Sequence, residues 1–526
     1  MTIKAQTNSV VTGTGGSGQA IDRRSMVSGL VLVCGDSPVA TSIAGMTVEG
    51  TEWRFETTDD LCRNSDGIDQ TISMAPTNRL IVALCRGEHS KSEFLSRSRK
   101  AGIETFGTQI VEIPAATDSD ANKAASVTTV RGAIARSEAF GSADAGNIKT
   151  AFSGAGGKIS RRALFTIPPI EYRSVPTINR SACIAGSGCT QCEKSCPHSA
   201  IKNVAGTVQV DTSACKSCGL CVAACPQRAV EFPSFSPVEI ESQVEAVLSE
   251  SDGSSKNIAF ACSKSENMPI DDWQIVPVAC AAMVPAAALL STVSAGARSV
   301  GILRCVEECS QQSSREISGR IDYAKNVLER AGVNSNRIVN LAPSILGTEN
   351  RSPAVSEPPG VGSHSVEIFG RTAASNSVLA LNEMSPNGIE AFTHAYSPIG
   401  VPVVSSTACT MCGTCSAVCP SGALTQTTSE NVVELTLDAA KCIACSECVE
   451  SCPESANGAI ELDLRTDISA LTVGPVRINS DQAIACANCN TQFTSQLTLN
   501  RLEVLLGEDY SHDLYGTLCP ECRTLA

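Results

Sequence analysis

Twenty-seven cysteines stand in a chain of 526 residues, and most fall in tight C-x-x-C runs. One block reads Cys409-Thr-Met-Cys412-Gly-Thr-Cys415-Ser-Ala-Val-Cys419-Pro420, followed by Cys442-Ile-Ala-Cys445-Ser-Glu-Cys448-Val-Glu-Ser-Cys452-Pro453. Three thiolates on one short loop can cap three iron corners of a cubane, while the fourth, held just before proline, points across to a second cubane. The spacing predicts two 4Fe–4S clusters with crossed ligands. One takes Cys409, Cys412, Cys415 and Cys452; the other takes Cys442, Cys445, Cys448 and Cys419. Structural zinc closes at four thiolates and has no use for an interleaved fourth. Disulfides suit small chains in oxidising compartments, whereas an odd cysteine total in such runs favours metal ligation.

This doubled run is typical of bacterial two-cluster ferredoxins. An earlier block repeats it with one departure. Cys215-Lys-Ser-Cys218-Gly-Leu-Cys221-Val-Ala-Ala-Cys225-Pro226 is a clean copy, but in its partner five residues separate Cys183 from Cys189 before Cys192, Cys196 and Pro197 follow normally. The expected sets are Cys183, Cys189, Cys192 and Cys225 around one cluster, and Cys215, Cys218, Cys221 and Cys196 around the other. Gly186 and Gly188 permit the longer loop a tight return. The alternative is a free Cys183 beside a three-iron cluster.

The remaining cysteines fall in three groups. Cys34, Cys85, Cys262, Cys280 and Cys305 each end a predicted strand, and open parallel sheets bind ligands beyond the carboxyl ends of their strands. Cys262, Cys280, Cys305 and Cys309 would suffice for a 2Fe–2S cluster; buried core cysteines are the alternative. Cys34, Cys62 and Cys85 offer three thiols, so a cluster there needs another donor, and His89 is either that donor or an exposed loop residue. Cys486-Ala-Asn-Cys489 and Cys519-Pro-Glu-Cys522 look like the two knuckles of a zinc ribbon, with a 29-residue insert; a mononuclear iron site uses the same ligands.

The elements that must position these thiols are legible as apolar runs. Gly29–Cys34, Arg79–Cys85 and Gln109–Ile113 read as strands of a parallel sheet, with a helix over Ser92–Ala101. Asn257–Cys262, Gln274–Cys280, Ser299–Cys305 and Arg337–Leu341 read as a second sheet, with helices over Met283–Ala297 and Glu316–Ala331. The expected architecture is multidomain α/β plus α+β, in which two dicluster modules flank an open parallel-sheet domain. Its parts are a disordered tail (1–28), an N-terminal α/β domain (29–150), a linker (151–180) and the first dicluster module (181–235). A central α/β domain (236–345), a Pro-, Ser- and Gly-rich linker (346–400), the second dicluster module (401–465) and the tetra-cysteine module (466–526) follow.

Composition narrows the function. A net charge of −14 argues against nucleic acid, whose phosphates demand a basic face, and suits docking onto basic patches of redox proteins. The longest apolar run, Ala279–Leu290, contains Pro285 and is too short to span a membrane. The first 28 residues lack an apolar signal core. Arg23-Arg24 and Ser160–Phe165 match fragments of a twin-arginine export signal, but the second precedes Pro168-Pro169 and reads as a basic linker. A cytoplasmic setting, where thiols stay reduced, is expected. No G-x-G-x-x-G follows a strand, so no flavin or NAD site is expected, and no catalytic residue pairing stands out.

Residues 79–113 (RLIVALCRGEHSKSEFLSRSRKAGIETFGTQIVEI) resemble the N-terminal domain of the flavoprotein subunit of heterodisulfide reductase, without its flavin part. Residues 257–341 are similar to the delta subunit of methyl-viologen-reducing hydrogenase. That resemblance implies a 2Fe–2S cluster on Cys262, Cys280, Cys305 and Cys309, although the Cys305–Cys309 spacing is one residue tighter and a second cysteine close after Cys262 is missing. The whole order, ending in IACANCNTQF…LCPEC, resembles 4Fe–4S binding proteins encoded beside bacterial formate dehydrogenases. The expected function is a relay of single electrons between a dehydrogenase or hydrogenase-type partner and an acceptor, without catalysis of its own. An accessory role in assembling formate dehydrogenase is the alternative, and a redox sensor a third.

Overall fold

Gly29–Cys34 (β1) is buried at all six positions. A strand loses the usual in–out alternation only when both faces are covered, which is the condition of a parallel sheet in an α/β domain. The computed structural model describes residues 29–48, 52–63, 71, 79–85, 91–103, 105–113, 120–141, 148–149, 171–172, 174–249, 256–265, 273–305, 314–341, 366–429 and 431–524. In it β1 joins Trp53–Thr58 (β2), Leu80–Cys85 (β3) and Thr108–Ile113 (β4) in a parallel sheet of order β2-β1-β3-β4. A 20-residue helix, Asp120–Ala139 (α1), covers it. The tail expected over 1–28 and most of the linker expected over 151–180 lie outside the described residues.

The same order recurs mid-chain. The helix Pro237–Leu248 (α2) starts with a capping box, Ser236 accepting from the Glu239 N–H while the Glu239 carboxylate accepts from the Ser236 N–H, with proline in the first turn. Then Asn257–Cys262 (β5), Trp273–Val278 (β6), Ser299–Leu303 (β7) and Ile338–Leu341 (β8) form a parallel sheet of order β6-β5-β7-β8. Two of its strands are shorter than expected, so Cys280 and Cys305 lie two residues beyond strand ends rather than on them. The helix expected over Met283–Ala297 is Ala286–Ser294 (α3), because extended Pro285 forms its N-cap. Ser314–Arg330 (α4) follows.

One expectation is overturned. The stretch 346–400, read as a linker, holds a 15-residue helix, Gly370–Met384 (α5). Its Pro- and Gly-rich part, through residue 365, lies outside the described residues. Beyond it Ala373, Ala374, Val378 and Leu381 recur at helical spacing and are buried. Ala373 and Ala374 pack on Ala287 of α3, and small side chains let the two helices approach closely.

The dicluster modules are built from short antiparallel pairs. Thr177–Ile178 pairs with Val230–Glu231, and Val401–Val404 with Ile460–Asp463. The first module shares one apolar core with the central sheet, since Cys221, Val222 and Phe232 fall in the same buried cluster as Phe260 and Met283. In the second, Val432–Leu437 pairs antiparallel with Val476–Ala485, so one sheet crosses the boundary expected at 465/466. A further helix, Gln496–Leu506 (α6), packs on that sheet.

Helix α1 docks the N-terminal sheet onto the rest. Gly132 faces α2, where a Cβ would come within 3.0 Å of Val247 Cγ2. Arg136 is 1% exposed and donates to Gln243 Oε1 at 2.8 Å, to the Pro277 carbonyl at 2.9 Å, and to the Ser234 carbonyl. Burial lowers its pKa to about 10, partly offset by Glu239. Removing such a donor strands buried acceptors. Arg136→Ala is expected to cost about 2–4 kcal/mol and to expose α1 to protease before the dicluster modules, read by thermal unfolding and limited proteolysis.

Candidate metal centres

Each regular cysteine loop turns on two residues of left-handed backbone, one before and one after the second cysteine. They are Met411 and Gly413, Ala444 and Ser446, and Ser217 and Gly219, with φ between +52° and +80°. That conformation swings successive side chains to one side of the loop. It is sterically unfavourable for non-glycine residues, by about 1 kcal/mol or more, and persists where the surroundings dictate it.

The thiols converge as crossed sets. Cys409, Cys412, Cys415 and Cys452 line one cavity. Cys183, Cys189, Cys192 and Cys225 line a second, and Cys196, Cys215, Cys218 and Cys221 a third. In the long loop a 3₁₀ turn at Ala185–Ser187 and left-handed Gly188 absorb the extra residues and bring Cys183 back beside Cys189. Cys419, Cys442, Cys445 and Cys448 adjoin one another closely enough for mutual charge effects.

Burial dominates the electrostatics of these thiols. It pushes Cys442 and Cys415 up to about 11 and Cys192 and Cys448 to about 12, with neighbouring thiolates adding to the shift. Without a cation these four thiols therefore hold their protons. Backbone N–H groups work the other way. Ala229 donates to Cys225 Sγ at 3.2 Å, Ala200 to Cys196 Sγ at 3.3 Å, and Leu424 to Cys419 Sγ at 3.4 Å. Such donors stabilise thiolate charge and tune cluster potentials. The thiol number fits a cubane in each of the four sets, and three of them line a cavity.

The modules meet at their cysteine loops. Thr190, next to Cys189, donates to Glu447 Oε1 at 2.8 Å, and Glu447 adjoins Cys448. Lys194 pairs with Glu447 and Glu450, both at 3.0 Å. On the other flank Cys218, Leu220, Cys280 and Ala282 share one buried cluster. Neither Lys194 nor Arg371, whose guanidinium donates to the Cys442 and Ala439 carbonyls, carries any signal in a single sequence.

The other groups differ in completeness. Sulfurs of Cys486, Cys489, Cys519 and Cys522 lie within 4.8 Å of one another, with Cys489 and Cys519 3.7 Å apart. A tetrahedral site with metal–sulfur bonds of about 2.3 Å needs sulfurs about 3.8 Å apart. Amide N–H groups of Cys519 and Cys489 lower Cys486 to about 6. Cys34, Cys62 and Cys85 also lie within 4.8 Å of one another and are buried. The Cys62 hydrogen bond lowers Cys34 to about 5, while burial lifts Cys85 to about 11. Cys262 is raised by its hydrogen bond to Cys280 and also contacts Cys305. Cys309 and His89 lie outside the described residues.

Comparison with known proteins agrees with this chemistry. A 4Fe–4S dicluster domain model matches residues 408–457, and a 4Fe–4S binding domain model matches 208–231. The model for the delta subunit of methyl-viologen-reducing hydrogenase matches 251–352. A component of the ion-translocating oxidoreductase complex of Methanosarcina acetivorans is 41% identical over 60 residues, covering 11% of this chain and 22% of that protein. Formate hydrogenlyase subunit 2 of Escherichia coli K12 is 44% identical over 57 residues, 10% of this chain and 28% of that protein. The chain thus spans roughly a quarter of the length of these relatives. It carries 4Fe–4S ferredoxin domains beside a hydrogenase delta-subunit-like domain. Among the described residues no helix is long and apolar enough to cross a membrane.

The loop at Gly219 supplies a test of how the first module sits on the central domain. Gly219 has φ +70°, and a Cβ there would lie 2.8 Å from Met283 Cγ and 2.9 Å from its Cβ. Gly219→Ala is expected to destabilise the chain by about 2 kcal/mol. In a double-mutant cycle with Met283→Ala the two losses should sum to less than additive in thermal unfolding, since the Cγ contact goes while the 2.9 Å Cβ contact and the backbone strain remain.

Proposed function

We propose that this chain relays single electrons through four 4Fe–4S clusters held by the crossed sets. These are Cys183, Cys189, Cys192 and Cys225; Cys215, Cys218, Cys221 and Cys196; Cys409, Cys412, Cys415 and Cys452; and Cys442, Cys445, Cys448 and Cys419. The observation that carries the reading is the crossing itself: each of three cavities takes its fourth thiol from the other run. Such interleaving has a purpose only where two clusters must sit close together. Iron–sulfur clusters supply reversible one-electron storage. The chain's own residues ligate, donate N–H groups to the sulfurs and keep water from the buried thiols. Thr190 and Lys194 align the two modules face to face.

The other groups have lesser roles. Cys486, Cys489, Cys519 and Cys522 hold one structural zinc, with a single iron as the variant. Cys262, Cys280, Cys305 and Cys309 hold a 2Fe–2S cluster, and Cys34, Cys62 and Cys85 give a three-thiolate site that needs one further donor. The working units are 29–150, 181–235, a central unit from 236 that includes α5, and 401–465 joined by its sheet to 466–526. The partner is a dehydrogenase- or hydrogenase-type redox protein, as the names of the relatives suggest for their own complexes. Formate dehydrogenase is the first candidate. The acidic surface steers the chain toward a basic docking patch.

Anaerobic purification with metal analysis tests this. Four cubanes require about sixteen irons, and a 2Fe–2S centre brings the total to roughly eighteen. Cys452→Ala should perturb the electron paramagnetic resonance signal of the Cys409 set while sparing the Cys442 set in its own run. Colourless protein filled with zinc at Cys409–Cys452, or a Cys452→Ala variant that disturbs only the Cys442 set, would overturn the proposal.

A further inference from the structure

Arg371 is a buried cation without a carboxylate. It is 8% exposed, and its side chain donates to the Cys442 carbonyl, to Ser375 Oγ and, at 3.1 Å, to the Ala439 carbonyl. Its backbone N–H donates to the Pro226 carbonyl at 2.9 Å, one residue past Cys225. Among the described residues no carboxylate lies within ion-pairing distance of it. The nearby acids are engaged elsewhere. Glu241 accepts from the Ile368 and Phe369 N–H groups and pairs with Arg228, and Asp438 pairs with Lys441.

Its position is over-determined. Gly370 has φ +92°, and a Cβ there would lie 2.8 Å from Arg228 Cγ and 3.1 Å from the Pro226 carbonyl. Only glycine lets α5 begin so close to the first module. With Glu241 pinning the two residues before Gly370, the guanidinium has little freedom to turn toward solvent.

Buried charge is retained where an opposite charge compensates it. Carbonyl dipoles solvate the guanidinium but do not neutralise it. The anion within reach is the thiolate set that begins at Cys442. We infer that Arg371 is a positioning residue whose fixed positive charge raises the reduction potential of the site held by Cys442, Cys445, Cys448 and Cys419. A cation in a low-dielectric surrounding favours the state with one more electron, and local charge is one of the determinants of cluster potential. That site faces the first module through Glu447 and Lys194, so the junction between modules becomes the place where an electron rests. This rests on the proposed cluster assignment.

The test uses the anaerobically prepared full chain, titrated with reductant and followed by electron paramagnetic resonance. Wild-type iron content checks the cluster assignment by itself: a count far below sixteen, on the order expected for four cubanes, sinks that reading and this one with it, whereas full iron leaves this one to the variants. In Arg371→Gln, which keeps a donor but removes the charge, one of the four components should shift to more negative potential with iron unchanged. Arg371→Lys should stay near wild type. Lys194→Gln, which removes a cation 41% exposed on its side chain, should shift it far less because solvent screens it. Full iron with unmoved potentials in Arg371→Gln overturns the inference. If that variant fails to load, Arg371→Lys decides: a shift well below wild type despite retained charge overturns it, and a wild-type potential supports it.

Discussion

Crowding many thiols into two small modules is unfavourable until a cation arrives. Burial pushes Cys192 and Cys448 to about 12, so the protonated form prevails in the metal-free chain, and ionising several neighbours together adds like-charge repulsion. A coordinated metal reverses that balance by deprotonating its thiols outright, and the binding free energy becomes folding free energy. The rest of the structure follows from this constraint. The cysteine loops hold Met411, Ala444 and Ser217 left-handed, a conformation that ligation would fix on the proposed assignment. The first module shares its buried cluster with the central sheet, while the second has an apolar core of its own around Leu424, Val433, Leu435 and Leu437 and shares a sheet with the terminal module.

Two sheets of one topology answer the same problem differently. In β2-β1-β3-β4 and β6-β5-β7-β8 the first and third strands are neighbours, and the chain leaves them in opposite directions along the sheet. A crevice opens there beyond the carboxyl ends. Cys34 and Cys262 end the first strand of each sheet, Cys85 and Cys305 end or follow the third, and Cys62 and Cys280 follow the second. The correspondence places three thiols at matching points of both domains. In the N-terminal one they draw within 4.8 Å of one another. Topology alone gathers them, since no short motif joins Cys34, Cys62 and Cys85 in the sequence.

What was legible in the sequence is what local rules control. Fully apolar runs such as LIVALC could only be two-sided parallel strands, and the C-x-x-C runs fixed which thiols share a loop. The crossing of fourth cysteines was legible too, because proline after each sets its direction. Helix α5 was not, since the Pro- and Gly-rich stretch before it masked an alanine face that declares itself only against α3. Helix α1 escaped because its apolar and small residues follow no single stripe, its partner α2 lying far along the chain. The strand-end positions of Cys280 and Cys305 were misjudged by two residues, as β6 and β7 stop early. Arg371 has no local signature; its meaning comes from acceptors contributed by two distant segments, Pro226 and Ala439–Cys442.

The charges at the module junction show why that segment matters more than the visible ion pairs. Lys194 with Glu447 and Glu450 is the conspicuous bridge, yet partly exposed pairs contribute about 0–1 kcal/mol and weaken with salt. Such a pair can align two modules but cannot hold them. Arg371 binds both at once, its backbone reaching Pro226 and its side chain reaching Ala439 and Cys442, in a place water does not screen. A chain carrying net charge −14 thus keeps a fixed cation where its most anionic groups gather. Without it, bringing two sets of thiolates face to face would add repulsion at the junction. With it, the contact between modules and the charge of the sites stabilise each other, and the helix that looked like a linker becomes the part on which both depend.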